Sequence, residues 1–250
     1  MVYIGKVIDK AIVWDMDETL GSFVSLSEPV ALLEELLGRK LKQKDFMLVI
    51  EIFEEVLRPN IIDVLIYIKN NQDNTTKNVL YTNNNGPKSW CNGIVSYLDE
   101  MVGCKVFDKV IRAWEVDGNI VEPKRTSHLK TYEDLVRCLN VHEIKKVCFI
   151  DDQEHPLHKD SRVTSYKIPE YNVHFTEDEI IERLRKSSFK KVFKTASYQD
   201  DLNYYNIIST PVPPPSPYKK KHDVILFKMI KKFMKPNIPR KQTRRKDRGK

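Results

Sequence analysis

Short apolar runs alternate along this chain with longer segments of helical period. The runs occupy residues 11–15, 79–82, 105–112, 146–151 and 162–168, lengths suited to buried strands. Residues 2–8 read as a leading strand or hairpin arm. Between the runs, residues 29–37, 60–69, 131–139 and 177–184 carry apolar positions at helical spacing. Thr176 is placed to N-cap the last of these. Gly86-Pro87 opens a further helix running to about residue 101, with Trp90 on its packing face. Residues 46–57 are too evenly apolar to assign. Asp117-Gly118 and Glu122-Pro123 mark turns. Strands alternating with helices predict an α/β fold, a three-layer sandwich around a mostly parallel sheet.

The polar residues that end these runs carry the chemistry. The first run closes on Asp15-Met16-Asp17-Glu18-Thr19. At the C-terminal edge of an open α/β sheet, where ligands bind, two carboxylates spaced i, i+2 repel unless a cation lies between them. Hard divalent metals take such oxygens. One carboxylate can attack phosphorus while the other moves the proton of the leaving group. The second run closes on Thr82, whose hydroxyl and following N–H suit a phosphoryl oxygen. Lys130 precedes a helix and offers a compact positive charge for phosphate. Lys124, just after Pro123, is the competing lysine. The fourth run closes on Asp151-Asp152, a second acidic pair.

The order strand-DxDxT, strand-Thr, Lys-helix, strand-Asp-Asp resembles the haloacid-dehalogenase superfamily of aspartate-nucleophile phosphatases. Asp15-Met16-Asp17-Glu18-Thr19-Leu20, Val56-Leu57-Arg58-Pro59-Asn60, Leu80-Tyr81-Thr82 and Phe149-Ile150-Asp151-Asp152 resemble within it the RNA polymerase II C-terminal-domain and NLI-interacting-factor-like phosphatases. The resemblance covers about residues 8–185. It implies a Mg²⁺-dependent phosphomonoesterase with an aspartyl-phosphate intermediate, and a small insertion or cap between the first and second motifs. It implies Asp15 as nucleophile, Asp17 as acid and base, and Thr82 with Lys130 holding the transferred oxygens. Asp15, the Asp17 carbonyl and Asp151 or Asp152 would bind the metal. Thr19, Asn83 and Lys124 are the candidate substrate contacts. A phosphorylated protein is the implied substrate, with nucleic-acid ends, small phosphate esters or a non-catalytic binding role as alternatives. The chain departs from the family pattern at Thr82-Asn83-Asn84-Asn85 and at Asp151-Asp152-Gln153-Glu154-His155-Pro156, which bears on the substrate rather than the reaction. His155 and His158 read as solvated or substrate-edge residues rather than a metal pair.

Charge is unevenly spread. Residues 218–250 hold 14 Lys or Arg against 2 Asp, a net of +12, so residues 1–217 carry 28 basic and 33 acidic residues, a net of −5. The expected organisation is therefore a phosphatase domain over 1–205, a proline-rich linker over 206–217 and a basic tail over 218–250. The tail has an amphipathic stretch at 224–234 that could dock on the body, on a partner or at an acidic surface, and an end too polar to fold; its lysines suit nucleic acid or an acidic partner. Cys91, Cys104, Cys138 and Cys148 form no C-x-x-C, and the pattern around Cys138 and Cys148 is that of core thiols. Neither phosphate-loop nor dinucleotide glycine motif occurs. Lacking a signal sequence or an 18-residue apolar run, the protein is expected to be intracellular, in cytoplasm or nucleus.

Overall fold

The computed structural model describes residues 6–193 and 220–235. Its centre is a five-stranded sheet of β1 (Val7–Trp14), β2 (Thr76–Tyr81), β3 (Lys109–Ile111), β6 (Glu143–Asp151) and β7 (Val163–Lys167), in the order β3-β2-β1-β6-β7. A short hairpin, β4 (Glu115–Val116) and β5 (Asn119–Ile120), lies between β3 and β6 in the chain. Its turn is Asp117-Gly118, both at positive φ, the conformation a two-residue hairpin loop requires. Every pairing within the five-stranded sheet is parallel. Parallel strands are covered on both faces, which is why they read as continuous apolar runs.

The helices are α1 (Ser27–Leu37), α2 (Gln43–Ile52), α3 (Ile61–Asn71), α4 (Lys88–Val102), α5 (Tyr132–Leu139), α6 (Glu177–Lys186) and α7 (Lys221–Met234). Strand residues alternate between two cores. Ile12, Trp14, Leu80, Cys148 and Ile150 face the core shared with α1–α4, α6 and α7. Ala11, Val13, Val79, Val147 and Phe149 face a smaller core closed by Tyr132, Leu135 and Cys138 of α5. This gives the helix–sheet–helix layering expected from the alternating pattern. The Thr176 hydroxyl accepts from the Glu179 N–H, as its sequence signal predicts, while Thr131, read as the first helical residue, instead caps α5 by accepting from the Asp134 N–H.

Residues 46–57, unassignable by period, contain α2 followed by a short 3₁₀ turn at Glu54–Val56. Phe46, Val49 and Ile50 are buried, and Met47, Leu48 and Ile52 pack at the margin of the same core, so little of the helix is left polar. Trp90 packs edge to face on Phe46 at 5.0 Å, bracing α2 against α4.

Of the expected tail, residues 220–235 are described, and they pack on the body. Within it, α7 packs against α3, burying Leu226, Ile230 and Met234 in the main core, and Phe227 meets Tyr67 edge to face at 5.5 Å. Its lysine-rich outer side imitates a solvated segment in sequence. The boundary at 205, the proline-rich linker and the chain end from 236 fall outside the described residues, as do residues 2–5 of the leading arm. Residues 7 and 8 belong to β1 itself. Because Ile230 is wholly buried, Ile230→Ala should cost roughly 2–5 kcal/mol of folding stability. Denaturant unfolding of the full chain checks this, and an unshifted midpoint would mean that the helix is not part of the folded body.

Candidate active site

Chain order around β1 sets the position of the site. From β1 the sheet runs outward to β2 and β3 on one side, and to β6 and β7 on the other. The crevice at such a reversal, at the carboxyl ends of the strands, is where ligands bind in open α/β sheets. Asp15 follows β1 directly, Thr82 follows β2, and Asp151 ends β6. All three line one polar pocket of about 290 Å³, with Asp17, Glu18, Asn83, Asn84, Lys130, Gln153 and His155.

The loop after β1 is tightly held. The Asp15 N–H donates to the Ile150 carbonyl at 2.9 Å, extending the sheet by one rung. Leu20 N–H returns to the Met16 carbonyl, and Glu18 takes a left-handed conformation at φ 55°. Gly21 lets the loop pass the 53–58 segment: a Cβ there would sit 2.5 Å from the Val56 carbonyl oxygen. Arg58 then locks the loop from below. Its Nε donates to the Thr19 carbonyl at 2.6 Å, and its Nη2 to the carbonyls of Glu18 at 2.7 Å and Pro169 at 2.8 Å. Burial lowers the Arg58 pKa, countered by Asp223 of α7, whose carboxylate lies 3.8 Å away. Helix α7 thus supplies a countercharge for the residue that shapes the loop after β1. The sequence showed Arg58 only as part of a motif, since its partners are backbone carbonyls and a residue 165 positions away.

Lys130 is the buried cation of the site, 1% exposed. Its Nζ donates to Asp15 Oδ1 and, at 2.7 Å, to Asp151 Oδ2. Burial opposes the ammonium, but the two carboxylates outweigh it and hold its pKa above the usual lysine range. Lys124 is exposed, and its side chain does not line the pocket. Of the two lysine candidates, the structure brings Lys130 to the acids and leaves Lys124 outside.

Oxygen ligands of Asp15, Asp151 and Asp152 lie within 4.8 Å of one another. Asp152 is fixed by Thr19, whose hydroxyl donates to Asp152 Oδ1 at 2.8 Å and accepts from its N–H at 3.1 Å. Thr19 was expected to touch substrate. It is wholly buried and spent on Asp152, so it positions a carboxylate instead. Asn83 lines the pocket, yet its amide donates to the His128 carbonyl and accepts from Arg125, which tie the loop together. The adjacent Asn84 makes the more telling contact, donating to Asp17 Oδ2 at 2.9 Å. The other Asp17 oxygen is buried with no partner among the described residues.

The acids are not equivalent electrostatically. Burial first, with Asp151 adding to it and Lys130 opposing it, puts Asp15 at about 6. Burial and then the Asp15 charge push Asp17 to about 7. Both acids are thus raised by burial, and Asp17 feels the Asp15 charge in addition. Glu18 is driven to about 8 by burial and the acids around it. The Thr82 hydroxyl accepts from the Asn84 N–H at 2.9 Å, leaving its own proton to donate into the pocket.

His155 is buried rather than solvated, 7% exposed, and lines the pocket, in keeping with the substrate-edge alternative; His158 is half-buried, its ring packing on Phe149 at 4.6 Å. Burial and the charge of Lys130 lower His155 to about 4, keeping it neutral. Its Nε2 faces Asp151 at 3.7 Å.

No family model and no curated protein matches this sequence. Among solved structures, the chain is similar in outline to the haloacid-dehalogenase domain of the effector protein Lem4 from Legionella pneumophila. The TM-score is 0.43 at 16% identity, covering 73% of this chain and 96% of that one. A haloacid dehalogenase-like hydrolase from Streptococcus pneumoniae overlaps with a TM-score of 0.27 at 12% identity, covering 64% and 94%.

Proposed function

We propose that this protein is a Mg²⁺-dependent phosphomonoesterase that works through an aspartyl-phosphate on Asp15. The observation that carries this reading is the convergence of Asp15, Asp17, Thr82, Lys130 and Asp151 from four separate segments on one pocket. Buried acids around one lysine are costly to fold, and such clusters of shifted groups belong to functional sites. The four motifs that resemble the phosphatase superfamily supply the same residues in the same order.

The donor set fits a hard cation. Three carboxylates offer clustered oxygens, and Asp17 keeps one buried oxygen unsatisfied. Asp15, Asp151 and Asp152 would hold Mg²⁺, with the Asp17 carbonyl, and the ion would neutralise phosphate charge beside Lys130. The residues divide the remaining work. Lys130 and the Thr82 hydroxyl hold the transferred oxygens. Asp15 attacks phosphorus in line as a carboxylate. Asp17, protonated below about 7, gives its proton to the leaving oxygen and takes one from the water that hydrolyses the acyl phosphate. Asn84 orients the Asp17 carboxyl through its amide.

The substrate class we assign is a phosphorylated protein side chain. The insertion between the first two motifs contributes only Val24 to the pocket lining, and Val24 is itself 47% exposed. A small pocket that the insertion does not roof suits a phosphate presented on a larger molecule. A panel of phosphopeptides, 3′- and 5′-phosphorylated oligonucleotides and small esters tests the assignment. Phosphopeptides should give the highest kcat/KM, and preference for oligonucleotide ends would replace that substrate class. EDTA should abolish turnover and Mg²⁺ restore it. Full activity in a metal-free sample would remove the metal from the mechanism.

A further inference from the structure

Where α7 meets the N-terminal halves of β1, β6 and β7, it borders a groove of about 910 Å³. The body lines it with Lys10, Lys145, Lys146 and Arg162, and α7 with Lys228, Lys232 and Lys235. No Asp or Glu is among the lining residues. Asp9 pairs with Lys145 at 2.7 Å and Asp160 with Arg162 at 2.6 Å. Lys10 Nζ donates to the Lys235 carbonyl at 2.7 Å and closes the C-terminal end of the helix. Lys10, Lys145, Lys146 and Arg162 gather here although residues 1–217 are net −5, and they face the lysines of the basic 218–250 segment. Met229 and Phe233 add apolar surface between the charges.

We infer that this groove binds the phosphate backbone of single-stranded nucleic acid. Cations on both walls follow a chain of repeated negative charges, and interleaved aromatic and thioether surface accepts bases. The 15 residues after Lys235 carry seven Lys or Arg and one Asp, so the sequence that follows the groove is itself basic. A lipid surface is the poorer fit. A helix lying on a membrane must turn its apolar stripe outward, whereas Leu226, Ile230 and Met234 are buried in the body. From Lys10 to Asp15 along β1 is roughly 16 Å at the rise of a strand, so an occupant of this groove leaves the catalytic pocket open. The inference stands independently of the phosphatase reading.

The test is fluorescence anisotropy of the full-length protein with labelled 20-nucleotide single-stranded RNA and DNA across a salt series. Wild type should bind, with an affinity that falls steeply with salt, log K changing by about 0.7 per log unit of salt for each phosphate neutralised. The double variant Lys228→Glu/Lys232→Glu should weaken binding at least tenfold and flatten the salt slope. A charge-matched control, Lys44→Glu/Lys105→Glu, should bind within threefold of wild type. All four lysines are exposed, and unchanged thermal melts confirm folding. Equal losses in both double variants, or no loss in the first, would place binding outside the groove and overturn the inference. So would absence of oligonucleotide binding, or binding to phosphatidylserine vesicles alone.

Discussion

Asp15→Asn should lower phosphatase turnover by roughly 10⁴-fold or more, the scale of losing a covalent nucleophile. The change keeps side-chain volume and removes the attacking oxygen's charge. The fold should survive, since the main-chain rung from Asp15 N–H to Ile150 is untouched. The substitution also removes one of the acids that Lys130 bridges, and asparagine still offers that ammonium an acceptor. A melting temperature near wild type with turnover lost is the expected pair of results. Turnover within tenfold of wild type would assign the attack to another group.

The second large effect is at Lys130. Lys130→Met removes the cation between Asp15 and Asp151 at similar length. Two buried carboxylates then face each other without compensation, which should cost about 3–5 kcal/mol of stability in chelator. Activity should fall by about 10²–10³-fold, as for other lost transition-state donors. Mg²⁺ should raise the melting temperature of this variant more than that of wild type, because the ion takes over the neutralisation. Lys124→Ala should stay within about threefold of wild-type activity, a range set by its exposed position outside the pocket. The opposite ranking of the two lysines would move the phosphate-binding role to Lys124.

The strand ends were legible because buried parallel strands are apolar throughout, so the first polar residue after each run marks the edge of the sheet. That placed Asp15, Thr82 and Asp151 together before any coordinates. Lys130 was legible from its position before α5, although the backbone path that separates it from Lys124 was not. Thr19 shows the limit of motif reading. Its spacing from Asp15 put it near the chemistry, but its burial under Asp152 is a property of the folded loop. Asn84 stood among the asparagines 83–85 that could contact substrate or form the turn, but its partner Asp17 was not legible, and the roles of Arg58 and Arg125 escaped for a similar reason. Their partners are carbonyls and side chains that come near only when distant segments meet. The helix α2 was hidden because five consecutive apolar residues, 46–50, all pack on or at the margin of the core and a 3₁₀ turn follows directly, which flattens the period of the segment. The helical apolar stripe at 224–234 left docking on the body as one of three alternatives, and its lysines and the proline-rich sequence before it gave no way to choose among them. Once packed, Asp223 reaches Arg58, and a segment that looks peripheral in sequence becomes part of the support of the loop after β1.

The central claim is covalent: phosphorus passes through Asp15. Rapid acid quench of the enzyme with a phosphorylated substrate and Mg²⁺, followed by peptide mapping under acidic conditions, measures it directly. The account predicts a phosphoryl group on the peptide containing Asp15, labile to hydroxylamine and absent from Asp15→Asn. A phosphoryl group on another residue, or active turnover with no phosphoenzyme at any quench time, would contradict it.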